Sequence, residues 1–183
     1  TQQSACVYVS QMRSWLPNHI GGVTWFANDE ANMVAFTPVY CYTQQAPECY
    51  DEQTADAFPF PTRSAYWVQN WVSNMVYLRY NLLFPELQKV RDRLENDYNS
   101  LQSDIESKAA AMSESEAIKY LSAYSHRIAS AMMDEWNQLA QLIIGKYNDM
   151  SVKRMDENGQ YEKTPGGNPR PVLRPGYPER FKR

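Results

Sequence analysis

The chain has 183 residues, enough for one ordinary domain or a compact core with a tail, and 43% of them are apolar. Its formal charge of −3 gives no electrostatic basis for binding nucleic acid or an anionic membrane surface. The sequence contains no run of about 18 apolar residues that would span a bilayer. We therefore expect neither nucleic acid nor a membrane as a partner. Thirteen Tyr and five Trp residues favour a wide core or a covered interface.

Three short β-prone runs lie in residues 1–45. The first centres on Cys6–Val9, the second is Val23–Ala27, and the third is Met33–Phe36. We expect the third strand to end before Pro38, because proline cannot donate a hydrogen bond to a central ladder. The runs predict an antiparallel β meander. Three strands cannot bury two faces alone, so one face is expected to contact elements outside this sequence.

Residues 46–61 contain three prolines and no clean period, which predicts a covering loop. Residues 62–150 are predicted to be helical. The first helix is expected to bury an apolar face with residues three and four apart, namely Trp67, Trp71, Met75 and Leu78. Aromatic residues of this segment, Trp67, Trp71, Tyr77 and Tyr80, are interpreted as core or interface residues and not as a binding platform. Pro85 is expected either to start another helix or to kink a continuous one.

Two long amphipathic helices are predicted next. The apolar positions of the first are Leu87, Val90, Leu94, Leu101 and Ile105, and those of the second are Ile118, Leu121, Ile128, Met132, Leu139 and Ile143. Ser113 and Glu116 form a capping-box pattern at the start of the second helix. A break between Ser107 and Ser113 predicts an antiparallel helical hairpin.

The tail, residues 151–183, is rich in Pro and Gly and basic. From residue 150 onward, eight Lys or Arg face four Asp or Glu, whereas the remaining residues hold ten against seventeen. Such a tail either lies on the acidic body or forms a loosely ordered terminus. The fold class predicted from all these segments is α+β, with an N-terminal antiparallel meander followed by long, mostly antiparallel helices.

Cysteine and histidine chemistry has five candidate residues: Cys6, Cys41, Cys49, His19 and His126. The spacing brings no thiol and imidazole together. A small buried thiol is favoured over a nucleophile for Cys6, and a solvated or capped imidazole is favoured for His126. A bridge between Cys41 and Cys49 is left open, with free thiols favoured.

Other candidate groups carry weaker signals. Thr1 offers a hydroxyl beside an α-amine, but no Gly-rich turn or nearby Lys supports its use as a nucleophile. The pairs Asp29 and Glu30, and Asp51 and Glu52, lie in turn-like segments where carboxylates serve solubility and local hydrogen bonding. No Cys or His cluster has the spacing of a zinc site, so we expect no metal and no cofactor.

Several stretches together resemble the late part of the dipeptidase A type of cysteine dipeptidases. They are Ser10–Pro17 (SQMRSWLP), Ile20–Phe26 (IGGVTWF), Pro38–Cys41 (PVYC), Ala46–Tyr50 (APECY) and Arg63–Asn74 (RSAYWVQNWVSN). The likeness covers about residues 5–95. Beyond them the pattern is that of a generic amphipathic helix.

The resemblance implies an N-terminal-nucleophile hydrolase with an αββα sandwich, of which this chain would be the C-terminal portion. In that family an N-terminal cysteine attacks a dipeptide substrate, with its own α-amine handling protons and no metal required. No catalytic role is carried onto the internal cysteines. The expected partner is the N-terminal catalytic part of the same protein, and a homo-oligomer is left open. The chain alone is expected to be inactive.

Arg13 is the one candidate for substrate binding, because a guanidinium at a strand end can bind a peptide carboxylate through two hydrogen bonds. Pairing with an Asp or Glu of this chain is the alternative, and it stays open. The competing hypothesis for the whole chain is a helical protein-interaction module without catalytic activity, in which the long helices present a partner-binding face.

Overall fold

The computed structural model describes residues 4–54 and 60–173. The chain divides into two compact units, Thr1–Leu139 and Ala140–Arg183. The first unit contains the three-stranded sheet, a medium-length helix, the first long helix and most of the second long helix. Thr1, part of the predicted covering loop and the last ten residues of the tail lie outside the described residues.

The sheet is an antiparallel meander with the strand order β1-β2-β3. Its strands are β1 (Cys6–Met12), β2 (Gly22–Asn28) and β3 (Thr37–Tyr40). A single-turn helix, α1 (Asn18–Gly21), connects the first two strands. The register runs from Cys6 opposite Asn28 to Met12 opposite Gly22 on one side, and from Val23 opposite Tyr40 to Phe26 opposite Thr37 on the other. The predicted meander and the α+β class are confirmed.

The third strand lies four residues later than the sequence predicted. Met33–Phe36 is not a strand, and Pro38 lies inside β3 opposite Trp25. The prediction was wrong because β3 is an edge strand. The Cys41 N–H bonds to the β2 carbonyl of Gly22, so the backbone nitrogens at even positions point away from β2. At such a position the missing N–H of proline removes no ladder hydrogen bond.

Helices dominate the rest of the first unit. Two short 3₁₀ turns, Glu48–Tyr50 and Glu52–Thr54, precede α2 (Ala65–Leu78). The two long helices are α3 (Tyr80–Ala110) and α4 (Glu114–Tyr147). Pro85 lies inside the continuous helix α3, so of the two predicted alternatives the helix start at Pro85 is wrong and the continuous helix is the one observed. The chain turns at Arg79, where φ is −149° and ψ is 57°.

The buried face of α2 is not the predicted one. The buried side chains are Ala65, Val68, Gln69, Val72, Ser73 and Val76. Trp67 and Trp71 are half-buried, and Leu78 is 81% exposed. The prediction failed because small and β-branched side chains allow the helix to approach β2, while the two indoles pack edge-on against Phe60, with centroid distances of 5.7 and 5.5 Å.

The long helices form the predicted antiparallel hairpin, with a break at residues 111–113. Arg93 of α3 pairs with Glu135 of α4 at 2.7 Å. Because both residues lie about twenty positions from the short connection between the helices, this contact requires the helices to run in opposite directions. At the start of α4, the Glu116 carboxylate accepts hydrogen bonds from the Ser113 backbone N–H at 3.1 Å and hydroxyl at 2.6 Å. Of the apolar positions predicted for α3, Leu101 is an exception, because it is 44% exposed.

The second unit contains the end of α4 and an extended segment. Three antiparallel bridges join Val152 to Leu173, Met155 to Tyr161, and Lys163 to Pro169. The turns between them contain Gly159 and Gly167, at φ of 74° and 81°, where a side chain would be strained. The described part of the predicted tail is therefore folded back on itself as irregular hairpins.

Candidate functional site

Arg13 is held by a dense set of hydrogen bonds at the end of β1. Its Nη1 and Nη2 atoms donate to the two carboxylate oxygens of Glu106 on α3, both at 2.7 Å. Nη2 also donates to the Ile20 carbonyl at 3.1 Å, and Nε donates to the Gly21 carbonyl at 3.3 Å. Side-chain exposure is 15% for Arg13 and 11% for Glu106. Bidentate pairing of this kind fixes both position and orientation of the guanidinium.

Glu106 extends this network to β3. Its Oε1 accepts a hydrogen bond from the Tyr40 hydroxyl at 2.9 Å and from the Gln102 amide at 3.0 Å. Burial, followed by the nearby Glu106 charge, raises the pKa of Tyr40 well above its ordinary value, so the hydroxyl stays a donor. The hydrogen bonds that Arg13 donates to Glu106 raise the pKa of Arg13 above its ordinary value. The structure thus shows Arg13 paired with a glutamate of this chain, which was the alternative left open above. Substrate binding by Arg13 stays a prediction.

The Arg13 partner was not found from the sequence. Glu106 lies 93 residues away, on a helix with many other carboxylates. Its one distinguishing signal is its place directly after the buried Ile105 and three residues before the buried Ala109. An acidic residue adjoining an apolar stripe is common at the margin of an amphipathic helix, so this signal is weak.

Cys49 and His126 line the same cavity, which the sequence did not predict. The cavity has a volume of about 360 Å³ and its other walls include Glu48, Arg63 and Asp134. Burial raises the pKa of the Cys49 thiol to about 12, which leaves it protonated at neutral pH. An Nε2 atom of His126 lies 2.9 Å from the backbone oxygen of Gln45. This cavity therefore presents a thiol poorly suited to nucleophilic attack.

The other two cysteines are exposed. Cys6 lies in β1, and Cys41 directly follows β3. The prediction of a small buried thiol at Cys6 is wrong, because β1 is an edge strand that the helices do not cover. All three thiols are free in the structure. His19 approaches an acidic side chain instead, with its Nδ1 atom 3.9 Å from Glu114.

Asp29 is a buried carboxylate in a strained turn. Its relative exposure is 2% and its φ is 71°, the left-handed region. Its oxygens accept a short hydrogen bond from the Ser73 hydroxyl and one of 3.2 Å from the Asn70 amide, both on α2. The expectation that this carboxylate serves solubility is wrong. The Asp29 carboxylate instead connects the turn after β2 to α2. The local sequence at Asn28 and Asp29 predicts a turn but does not indicate this distant contact.

Two classes of site are absent from the described residues. Within residues 4–54 and 60–173, no three His, Cys, Asp or Glu side chains cluster closely enough to hold a metal ion. In those same ranges, no helix is both long and apolar enough to cross a membrane. The Thr1 hydroxyl considered above lies outside this part of the chain.

The sheet, the covering turns and α2 coincide with a known family pattern. The sequence model of Peptidase family C69 matches residues 1–93, which is half of the chain. The chain belongs to Peptidase family C69. The match ends within α3 and thus covers the whole sheet, Arg13 and all three cysteines of this C69 chain. No curated protein matches the sequence significantly.

Proposed function

We propose that this C69 chain is the C-terminal part of a cysteine dipeptidase whose nucleophile lies outside these residues. The observation that carries the proposal is the state of the three thiols. Cys49 is buried with a raised pKa, and Cys6 and Cys41 are internal residues whose backbone nitrogens are amides. A nucleophile that relies on its own α-amine as base cannot be built from any of them.

The proposed reaction is hydrolysis of a dipeptide by an N-terminal cysteine of the parent protein. The thiolate attacks the scissile carbonyl, the amine of the leaving amino acid takes up a proton, and water then releases the acyl group from sulfur. Backbone or side-chain donors must stabilise the oxyanion formed at each step. This chain would contribute support to the fold and not the reacting groups.

The exposed face of the sheet supports a role in packing against the catalytic part. Tyr8 and Met12 of β1 point to the side of the sheet that carries Phe26, because their pairing partners in β2 alternate in the same way. Phe26 is covered by Tyr50 at a centroid distance of 4.9 Å, but Tyr8 and Met12 are 65% and 69% exposed. We propose that the catalytic part covers this outer face.

The test is a hydrolysis assay with unblocked dipeptides on the purified chain and on the parent protein that contains the upstream residues. We expect turnover from the parent and none from the chain alone. Turnover by the chain that disappears in Cys6→Ala would identify an internal nucleophile and overturn the proposal. Turnover that is lost when the Thr1 amine is blocked would identify the threonine mechanism instead.

A binding measurement separates this proposal from the helical interaction module. The chain alone should bind a dye specific for exposed apolar surface, and the signal should fall when the upstream part of the parent is added. A dye signal that is unchanged by that part would contradict packing on the outer face. It would favour the module, whose partner would then contact the α3–α4 hairpin.

A further inference from the structure

The cavity beside Cys49 combines buried apolar residues with polar walls. Its volume of about 360 Å³ falls within the range of about 300–1,000 Å³ that is usual for small-molecule sites. Pro47, Cys49 and Met133 are buried and form its apolar part. One wall belongs to α4, and the other belongs to the segment that leads into α2. The described residues that line the cavity include none from the sheet, so packing of the catalytic part on the outer face does not fill it.

The α4 wall presents hydrogen-bond acceptors. Asn137 uses both N–H bonds of its amide, donating to the Met133 carbonyl at 2.9 Å and to the Thr62 carbonyl at 3.3 Å. The Oδ1 atom of Asn137 is therefore left to accept. A carbonyl oxygen only accepts, so the His126 Nε2 atom, 2.9 Å from the Gln45 oxygen, carries the proton of that hydrogen bond. The Nδ1 atom of the neutral His126 ring is then an acceptor as well.

Asp134 adds a negative charge to this wall. It lies one helical turn after Ser130 and one turn before Asn137, so the three side chains share a face of α4. Among the described residues, neither Asp134 nor Ser130 has a hydrogen-bond or ion-pair partner, whereas the adjacent Glu135 pairs with Arg93. An unpaired carboxylate beside neutral acceptors suits a group with several N–H donors, such as an ammonium.

The other wall contains a guanidinium with unused donors. The Nη1 atom of Arg63 pairs with Oε1 of Glu48 at 2.6 Å. This contact uses one of the five N–H donors of a guanidinium, so donors on Nη2 and Nε remain. Arg63 forms its ion pair with Glu48 and none with Asp134. The cavity therefore has an unpaired carboxylate on one wall and a partly used guanidinium on the other.

We propose that this cavity binds a small zwitterion, a molecule with one α-ammonium and one carboxylate group. The ammonium contacts Asp134, with Ser130 and Asn137 as further acceptors, and the carboxylate contacts the unused donors of Arg63. A ligand with only one of the two charges would satisfy only one wall. Free amino acids and dipeptides both carry the required pair of groups. The proposal concerns binding alone and does not rest on the proposed hydrolytic function.

The test is a titration of the isotope-labelled chain with alanyl-alanine, followed by two-dimensional NMR. We expect shifts of the Asn137 side-chain amide and of the backbone amides of Asp134 and Arg63, with a dissociation constant of about 1 mM. N-acetyl-alanyl-alanine lacks the ammonium and alanyl-alaninamide lacks the carboxylate, so each should bind roughly tenfold more weakly. Free alanine carries the same two groups closer together, and its affinity relative to the dipeptide decides which of these two classes the site accepts.

Two variants assign the ligand groups to the walls. In Asp134→Asn, alanyl-alanine should bind roughly tenfold more weakly, and acetylation of the ligand should cause little further loss. In Arg63→Ala, the same should hold for amidation of the ligand carboxylate. Asp104→Asn is the matched control, because Asp104 is an exposed carboxylate on α3 that also has no partner among the described residues. Its affinity for alanyl-alanine should equal that of the native chain.

Three results would overturn the proposal. The first is a titration in which alanyl-alanine shifts no residue of the cavity. The second is equal binding of alanyl-alanine and its two blocked forms, since that would show that the charges are not recognised. The third is an equal loss of affinity in Asp134→Asn and Asp104→Asn, since that would reflect the total charge of the chain. None of these results bears on hydrolysis by the parent protein, so the two proposals fail separately.

Discussion

Arg13→Ala should destabilise the chain far more than the loss of an exposed ion pair. The guanidinium makes two hydrogen bonds of 2.7 Å to Glu106 and two more to backbone carbonyls, and both side chains are at least 85% shielded from solvent. Removing one partner leaves a buried carboxylate whose remaining donors, from Tyr40 and Gln102, are uncharged. Such losses cost about 3–5 kcal/mol in the free energy of unfolding.

Arg63→Ala is the matched control within the same chain. Arg63 pairs with Glu48 at 2.6 Å, but the two side chains are 71% and 68% exposed. Solvent screens this pair, so its loss should cost about 0–1 kcal/mol. The two substitutions remove the same side chain and a contact of nearly the same length. The difference between them therefore reports the combined effect of burial and of the larger number of hydrogen bonds that Arg13 makes.

The assay is urea denaturation followed by circular dichroism, for both variants and for Glu106→Gln and the Arg13→Ala, Glu106→Gln double variant. The double-mutant cycle separates the coupling between the two side chains from the cost of leaving one of them unpaired. The reasoning is refuted if Arg13→Ala costs no more than Arg63→Ala, or if the two substitutions at the buried pair are additive.

Three further predictions follow from thiol burial, helix capping and the α2 face. At pH 8, Cys49 should be alkylated by iodoacetamide far more slowly than the two exposed thiols, because at a pKa of about 12 roughly one molecule in ten thousand is thiolate; equal rates by mass spectrometry would contradict its burial. The hydrogen bonds from Ser113 lower the pKa of Glu116 in the folded chain. The stabilisation that Glu116 adds to the free energy of unfolding is therefore present above the pKa it has in the unfolded chain, and it is lost as the pH falls through its lower pKa in the folded chain. Urea titrations from pH 6 downward should show that loss in the native chain and not in Glu116→Gln. Val72→Asp should unfold the chain by placing an unpaired charge in the core, whereas Leu78→Asp, at an exposed site, should change the free energy of unfolding by less than about 0.5 kcal/mol; thermal melts of both variants test the observed face.

The order of elements could be predicted from the sequence because local patterns determine it. Alternating β-prone residues located β1 and β2, and the Ser113 and Glu116 pair located the start of α4. These patterns involve residues only a few positions apart, so they can be interpreted without knowledge of the fold. The break before α4 was predictable for the same reason.

The errors occurred where distant contacts decide the outcome. Pro38 could be placed in β3 only by knowing that its nitrogen faces away from β2. The buried face of α2 depends on how closely the helix approaches the sheet and on the packing of Phe60 against the two indoles. The spacing of apolar residues within the helix indicates neither of these contacts. The pairings of Arg13 with Glu106 and of Asp29 with Ser73 join residues 93 and 44 positions apart. No single-sequence pattern identifies such partners.

The indoles beneath Phe60 give the covering loop an optical signal of its own. Trp136 is fully buried and Trp15 is 77% exposed, so their emission should report global unfolding and solvent contact respectively. Trp67 and Trp71 are half-buried, and Phe60 packs edge-on against both rings. Phe60→Ala should therefore shift tryptophan emission to longer wavelength. The far-ultraviolet circular dichroism of the helices, measured at about 222 nm, should stay constant. Loop detachment thus becomes measurable separately from denaturation, and an unshifted spectrum would show that the indoles are shielded by other groups.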